Sequence, residues 1–237
     1  MIALGDALRD AGFADLVASR LKPAPTGMVR VAVIDSGIYA GHPHVPEVAG
    51  GVCLIPGANP DDLVDRNGHG TAVAAAILEK APGIALLAVK VFDRVLATTA
   101  AALARGIEWS AEHSADVVNL SLGTTNPAHA ALLQHAVDAA RARGAIVVAA
   151  TDQGGVPSLP GSLTGVVAVS LDWDCPRDTC IVHAAGPEVL HVRASGYPRP
   201  IPGVPLEKNL KGISFAVANV AGLIARTLPS LKSSAAR

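Results

Sequence analysis

Short, nearly continuous apolar runs alternate along the chain with longer amphipathic or apolar stretches. The short runs predict strands buried on both faces, at residues 29–34, 84–92, 117–122, 145–150 and 166–171. The longer stretches predict helices at 71–80, 98–113 and 128–143, and from residue 214 onward. Strands that alternate with helices predict an α/β fold of three layers, in which helices cover both faces of a mostly parallel sheet.

The same pattern divides the chain into a short lead-in and one large domain. Residues 1–28 place Asp6, Asp10 and Asp15 between apolar positions, which predicts an amphipathic helix followed by a Pro-rich linker at 23–27. This lead-in lacks a basic segment followed by an apolar core, so we expect no secretion signal. Residues 29–237 are then expected to form a single α/β domain.

Composition argues against two classes of partner. The 237 residues are 50% hydrophobic but only 3% aromatic, so aliphatic side chains must build the core. Lys and Arg (19) nearly balance Asp and Glu (20) and form no basic stripe, which argues against nucleic acid. No apolar run approaches the roughly 18 residues of a membrane span. We therefore expect neither nucleic acid nor a membrane as partner.

The cysteines bear on compartment and on metal binding. Cys53, Cys175 and Cys180 make an odd count, which without an export signal favours reduced thiols and a cytoplasmic protein. Cys175 and Cys180 bracket a tight loop and could form a disulfide if oxidised. Zinc is the weaker alternative, because no second ligand pair accompanies them at a suitable spacing. We expect no metal and no cofactor.

Two further clusters allow a metal but have simpler interpretations. Asp61, Asp62 and Asp65 precede the helix predicted at 71–80, where a solvated turn is expected in preference to a calcium site. His42 and His44 flank a proline, and two histidines alone are not a coordination set.

Three polar side chains occur at positions where a parallel sheet of this kind forms functional sites. Asp35 follows an apolar run, His69 lies between two glycines at a helix start, and Ser214 opens an apolar helix. Taken singly, Asp35 is explained as a turn residue, His69 as a turn residue at a helix cap, and Ser214 as a helix cap. Together they supply an orienting acid, a base and a nucleophile for acyl transfer. Sites in parallel sheets form at the carboxyl ends of strands, which could bring these distant residues together.

Three sequence blocks resemble the signature blocks of the subtilisin-like serine proteases. They are Val-Ala-Val-Ile-Asp-Ser-Gly-Ile at 31–38, Asn-Gly-His-Gly-Thr-Ala-Val-Ala at 67–74, and Gly-Ile-Ser at 212–214 with Val-Ala-Gly at 220–222. Segments 81–83, 89–91 and 117–123 also resemble the family, and the likeness runs from about residue 29 to about residue 228. It implies a subtilisin-like peptidase domain over 29–237, with Asp35, His69 and Ser214 as the triad. Subtilisin has this same order of acid, histidine and serine.

The resemblance also implies how a substrate would bind. The backbone of Ser121, Leu122 and Gly123 would pair with an extended peptide and form one wall of the pocket for the side chain before the scissile bond. Gly161 would lie near the floor of that pocket, where a glycine suggests room for a sizeable side chain. The expected partner is therefore a peptide or protein substrate.

The chain departs from the family pattern around the oxyanion site. The family usually has an Asn where this chain has Asp152, and an ionised carboxylate only accepts hydrogen bonds. Ile213 replaces a Thr whose hydroxyl could assist, and Ala218 replaces a proline, with Asn219 following it. The backbone N–H of Ser214 and the helix dipole remain as oxyanion stabilisers, together with Asp152 if it is protonated.

Two functions therefore remain open. The first is a serine endopeptidase of restricted specificity that acts through an acyl-enzyme, with hydrolysis and transpeptidation as alternative outcomes. The second is a catalytically impaired relative that binds peptides or acts as a scaffold. Intact Asp35, His69 and Ser214 favour the enzyme, whereas Asp152 and Ile213 favour the binding protein.

Overall fold

The computed structural model describes residues 27–186 and 189–235. The strands are β1 Arg30–Asp35, β2 Gly50–Cys53, β3 Ala85–Lys90, β4 Val117–Leu120, β5 Ile146–Ala150, β6 Asp152–Gln153, β7 Val156–Pro157, β8 Val167–Leu171, β9 Cys180–Gly186 and β10 Val189–Ala194. The α-helices are α1 His69–Lys80, α2 Ala100–Glu112, α3 Ala130–Ala142 and α4 Ile213–Ala235, and short 3-10 turns occur at Pro127–His129 and Leu206–Lys208. The lead-in helix predicted before residue 27 lies outside the described residues.

Eight of these strands form one sheet in the order β2-β3-β1-β4-β5-β8-β10-β9. All neighbours pair in parallel except β9, which runs antiparallel to β10. β6 and β7 form a separate two-stranded hairpin. The strands of the large sheet read as continuous apolar runs because both faces are covered.

Two hydrophobic clusters, one on each face of the sheet, make up the core. Val31 and Val33 of β1 face α1 and α4, while Ala32 and Ile34 face α2 and α3. α4 is buried on all sides over most of its first four turns, which explains its lack of a polar face. The predicted three-layer α/β fold is confirmed.

The alternation of strand residues also sets which polar groups face α1 and α4. Asp35, Lys90 and Asn119 are fully buried and share this face with the apolar residues two positions before them. Each lies at or near the carboxyl end of its strand. The sheet therefore places buried polar groups near the ends of α1 and α4, as expected for the carboxyl ends of parallel strands.

Some elements differ from the sequence prediction. The several prolines and glycines of the segment 40–66 predict irregular structure, yet this segment contains β2, an edge strand of four residues. The sequence predicts only short strands near 181–184 and 189–192, whereas β9 and β10 are longer. Cys53, Cys175 and Cys180 are all buried free thiols. Within the described part of the chain, no helix combines the length and apolarity that crossing a membrane requires.

Candidate active site

Asp35 and His69 form a close pair at the carboxyl end of β1. The His69 Nδ1 lies 2.8 Å from Oδ1 and 2.9 Å from Oδ2 of Asp35. Asp35 is fully buried, whereas 17% of the His69 side chain remains exposed. A hydrogen bond from Nδ1 to the carboxylate leaves Nε2 of a neutral imidazole as the acceptor on the accessible side.

The glycines on either side of His69 create this contact. Gly68 has a left-handed φ of 89° immediately before α1, a conformation that other residues adopt at a cost. A Cβ at Gly70 would lie 2.2 Å from the carbonyl oxygen of Gly37. Gly70 therefore lets the first turn of α1 approach the end of β1, which brings the imidazole to Asp35.

The environment of His69 favours its protonated form. Burial opposes the charge, but the hydrogen bond to Asp35 and the negative charges of Asp35 and Asp65 outweigh it and raise the His69 pKa. A base of this kind is neutral, and able to accept a proton, only above its raised pKa.

Asp65 anchors the start of α1, a role that the sequence interpretation missed. Its Oδ1 accepts hydrogen bonds from the Ser36 hydroxyl (2.8 Å) and the N–H groups of Asn67 and Gly68. Its Oδ2 accepts from the N–H and the hydroxyl of Thr71, at 2.8 and 2.6 Å. The expectation of a solvated turn is wrong for this residue, because every lone-pair direction is used to hold the turn before His69.

Asp65 stays ionised because these donors compensate for its burial. Burial tends to raise its pKa, but hydrogen bonds from Thr71, Gly68 and Ser36 lower it overall. The spacing of an acidic residue six positions before a threonine in the first helical turn is the signal that could have identified it.

Ser214 lies in the first turn of α4, beside the same pair. Its hydroxyl donates to the carbonyl oxygen of Ser121 at 3.0 Å, and no hydrogen bond joins it to His69 in the described structure. The neighbouring Phe215 ring is 5.9 Å from the imidazole, centroid to centroid. The structure thus brings the three residues to one place while the hydroxyl is turned toward the strand segment after β4.

The oxyanion region has one clear donor and one altered side chain. The backbone N–H of Ser214 belongs to the first turn of α4, where N–H groups have no acceptor within the helix. Asp152 begins the β6–β7 hairpin, and its Oδ1 accepts from the Gly155 N–H at 3.0 Å. The Asp152 carboxylate thus closes the turn of the hairpin.

Residues 121–123 continue in half-exposed, irregular backbone beyond the end of β4. Thr124 then forms a two-bond bridge with Leu159, at 2.9 and 2.8 Å. A Cβ at Gly123 would lie 2.4 Å from the Leu159 carbonyl oxygen and 2.6 Å from the Ser158 Oγ. Residues 121–123 therefore pack closely against the segment 158–161.

Gly161 is required by a backbone contact. A Cβ there would lie 1.8 Å from the carbonyl oxygen of Ala150, so the glycine lets two backbones touch. The glycine is therefore explained by this backbone contact, and the room for a substrate side chain beside it stays a prediction.

Two buried polar side chains near the site were also missed. Asn219 of α4 donates from Nδ2 to the carbonyl oxygens of Ser195 (3.0 Å) and Tyr197 (3.1 Å) and so fixes the segment after β10. The Lys90 Nζ donates to the Val64 carbonyl at 2.6 Å and to Asp93 at 2.8 Å. Lys90 thus holds the loop before Asp65 to the end of β3.

The described residues contain no group of three or more His, Cys, Asp or Glu side chains that could hold a metal. Asp62 is instead paired with Arg66 at 2.7 Å, and the His42 and His44 rings stack edge to face with centroids 5.4 Å apart. The side chains gathered beside the start of α1 and of α4 are an acid, an imidazole and a hydroxyl.

The chain is similar to known proteins over most of its length. The model of the subtilase family, Peptidase_S8, matches residues 27–235. Subtilisin DY of Bacillus licheniformis is 34% identical over 233 residues, which cover 88% of this chain and 81% of subtilisin DY.

Two solved structures are similar along most of the chain. The prenylagaramide maturation protease PagA has a TM-score of 0.66 and 27% identity, over 94% of this chain and 82% of PagA. A mutant of the protease domain of PatA has a TM-score of 0.66 and 26% identity, over 87% of this chain and 81% of that domain.

Proposed function

Because the chain belongs to the subtilase family and is a subtilisin-type serine endopeptidase, we propose that Asp35, His69 and Ser214 are its catalytic residues and that it processes a restricted set of precursor peptides. The catalytic assignment is supported by the hydrogen-bond contact of His69 Nδ1 with both carboxylate oxygens of Asp35. Ser214 lies beside this pair, in the first turn of α4. This arrangement leaves Nε2 of a neutral imidazole free to act as the base for the Ser214 hydroxyl.

The proposed reaction begins with a turn of the Ser214 hydroxyl. In the free enzyme it donates to the Ser121 carbonyl, which is the acceptor that an extended peptide would use for pairing. A bound peptide that donates its own N–H to this carbonyl competes with Ser214 and frees the hydroxyl for His69. Catalytic hydrogen bonds commonly form only when substrate is bound.

The chemical steps then follow the acyl-enzyme route. Nε2 of His69 takes the hydroxyl proton while Oγ of Ser214 bonds to the peptide carbonyl carbon, and Asp35 stabilises the imidazolium. The N–H of Ser214 stabilises the oxyanion. His69 returns the proton to the departing amine, and water, deprotonated by the same imidazole, releases the acyl group and restores Ser214.

Restricted specificity is supported by two observations. PagA, which is 27% identical to this chain, is named as a maturation protease for prenylagaramide. Asp152 stands where an amide donor would assist, and loss of such a donor typically slows turnover by roughly 10²–10³. An enzyme with a weakened oxyanion site depends more on binding energy from the rest of its substrate.

A fluorophosphonate probe tests the assignment of the nucleophile. We expect labelling of the full chain and of Ser114→Ala, which changes an exposed serine that follows α2, and no labelling of Ser214→Ala. Labelling that persists in Ser214→Ala would refute the assignment. If no protein is labelled at any pH while peptides still bind, the chain is a peptide-binding protein.

A peptide library tests the second half of the proposal. We expect cleavage of a few related sequences and little degradation of an unfolded protein such as reduced, alkylated lysozyme. Broad cleavage of the unfolded protein at many unrelated bonds would refute restricted specificity and leave the nucleophile assignment intact.

A further inference from the structure

A cavity of about 330 Å³ opens beside the proposed triad. Gly68, which precedes His69, and Leu210, four residues before Ser214, both line it. Its lining includes none of residues 121–123 and none of the segment 150–161. The cavity is thus lined by chain neighbours of His69 and Ser214, though by neither residue itself, and it is separate from the strand segment on which the peptide is proposed to pair.

This position relates the cavity to one part of a substrate. If residues 121–123 hold the peptide before the scissile bond, as proposed above, the chain must pass Ser214 and continue on the far side of it. We expect this continuation to meet the wall that Gly68, Ala72, Ala75 and Leu210 contribute to the cavity.

Several polar groups of the cavity are committed to hydrogen bonds within the protein. Both Asp65 oxygens are used by the turn before α1, and the Thr71 hydroxyl donates to Asp65 while it accepts from the Tyr39 N–H. The Nδ1 of His42 accepts from the His44 N–H at 3.1 Å, so the neutral ring carries its proton on Nε2.

Arg199 is the uncommitted cation of this cavity. Its Nη1 makes one long hydrogen bond, 3.5 Å, to the carbonyl oxygen of His44, and it forms no ion pair with any described carboxylate. Glu79 acts on the same region electrostatically but is held by Arg177 and Lys80. The guanidinium is half-buried and keeps most of its five donors for a ligand.

Apart from His44 and Asn209, the rest of the wall is mostly apolar. Tyr39, Ile201 and Leu210 are exposed large side chains that converge on this cavity, and Ala72 and Ala75 of α1 form its base. A cation set among apolar walls without a carboxylate partner is complementary to an anionic group carried on a short aliphatic stem.

We propose that this cavity binds an acidic side chain of the substrate segment that follows the scissile bond, with Arg199 as the counter-ion of its carboxylate. The proposal rests on the proposed function, because it uses the direction of the peptide past Ser214. It makes Arg199 a specificity-determining residue. The aliphatic stem packs against Ala72 and Leu210, and the guanidinium and the His42 N–H donate to the carboxylate oxygens.

Cleavage of matched peptides tests the proposal. The best-cleaved library peptide, acetylated and amidated so that it has no terminal charges, is made with Glu, Gln or Lys at each of the three positions after the cut. At one of these positions we expect kcat/KM for Glu to exceed that for Gln by about 5- to 30-fold, a ratio in the range of partly exposed charge-assisted contacts. Raising the salt concentration should reduce it.

Variants assign the effect to Arg199. Arg199→Gln should abolish the Glu preference, and Arg199→Glu should reverse it in favour of Lys. Lys208→Gln removes a neighbouring cation that does not line the cavity and should leave the preference unchanged. A Glu preference that survives Arg199→Gln, or one found only before the cut, overturns the proposal.

Two further arms separate the remaining possibilities. If a Gln peptide with a free C-terminal carboxylate gains as much as the Glu peptide does, the cavity binds a chain end, and the proposal of an acidic side chain is overturned. Binding of the same peptides to Ser214→Ala, measured by fluorescence anisotropy, shows whether the preference exists without turnover. A preference in binding with no cleavage by the unmodified enzyme would refute the proposed function while supporting the cavity.

Discussion

At the scale of single residues, the chemistry depends on how two carboxylates act on one imidazole. Asp35 touches His69 directly, whereas Asp65 acts on it through charge and holds the turn that precedes it. Both raise the His69 pKa against the effect of burial. Since the neutral imidazole is the reactive form, the acidic limb of the activity profile should follow this raised pKa.

Asp65→Asn should therefore move the acidic limb of kcat/KM to lower pH. The substitution removes one of the negative charges that favour imidazolium, so His69 loses its proton at a lower pH and activity appears earlier as pH rises. NMR titration of the His69 ring gives the same quantity without turnover.

Asp61→Asn is the matched control for this prediction. Asp61 is an exposed carboxylate in the same loop and is not among the groups that shift the His69 pKa. Its profile should match that of the unmodified enzyme. If Asp65→Asn lowers the rate equally at every pH, Asp65 acts only by holding the turn.

Asp152→Asn should raise kcat. The Oδ1 of an asparagine can still accept from the Gly155 N–H, so the hairpin is kept, while the new amide supplies the donor that the carboxylate lacks. We expect an increase of about tenfold or more, up to the roughly 10²–10³ that one oxyanion donor contributes. Single-turnover kinetics on one peptide measure it, and an unchanged or lower rate would show that the carboxylate has its own role in the reaction.

At the scale of elements, the loop 172–179 is fastened to the end of the His69 helix. Arg177 donates to both oxygens of Glu79, the penultimate residue of α1, and Glu79 also pairs with the buried Lys80. Burial tends to raise the Glu79 pKa, but the hydrogen bonds from Arg177 and Lys80 lower it overall. Because the Glu79 pKa is lower in the folded protein than in the unfolded chain, the ion pair stabilises the fold fully at pH values above the unfolded-state pKa. This stabilisation is lost as the pH falls through the folded-state pKa of Glu79.

Arg177→Met should consequently destabilise the protein at neutral pH and less so in acid. The pair is partly exposed, so solvent screening limits the cost to about 1–2 kcal/mol. Urea unfolding at neutral pH and near pH 3 measures the difference. Arg105→Met breaks an exposed pair with Glu112 and should cost only a few tenths of a kcal/mol. A cost for Arg177→Met that is as large in acid as at neutral pH would contradict the role of Glu79.

Elements whose signal is local were predictable, and those fixed by partners were not. β1, β3, β4, β5 and β8 are buried on both faces, so their apolar runs predict them from sequence alone. β2 is an edge strand held by β3, and its Gly-Gly start carries no pattern. The same holds at the site. Asp35, His69 and Ser214 stand in recognisable motifs, whereas Arg199, Asn219 and the Ala150 contact of Gly161 depend on which distant segments meet.

At the scale of the whole molecule, the distance between His69 and Ser214 is set by how two helices cross. His69 begins α1 and Ser214 lies in the first turn of α4, and both helices pack in the core on one face of the sheet. At their crossing, a Cβ on Gly222 of α4 would lie 2.9 Å from the carbonyl oxygen of Ile77 and 2.9 Å from the Cβ of Lys80. The absence of a side chain at Gly222 therefore sets how closely the two catalytic elements approach.

Gly222→Ala should impair catalysis more than its effect on stability would suggest. Alanine gains about 1 kcal/mol of helix propensity, which offsets part of the roughly 1–3 kcal/mol cost of overpacking. The backbone of Ile77 cannot give way as a side chain could, so α1 must shift against α4. A misplacement of about 1 Å can cost up to 10²-fold in rate, and we expect kcat to fall at least tenfold with KM little changed.

Gly106→Ala separates the geometric effect from the general one. Gly106 lies in α2 on the opposite face of the sheet, and its added Cβ would meet the side chains of Ile34 and Val89 at 3.3–3.4 Å. Like Gly222→Ala, Gly106→Ala gains helix propensity and creates a tight contact, but it does not move any catalytic groups apart. Its kcat should stay near that of the unmodified enzyme at a comparable free energy of unfolding. Equal losses of kcat in the two variants would mean that activity follows overall stability, whereas a loss confined to Gly222→Ala would show that the α1–α4 crossing sets the approach of base and nucleophile.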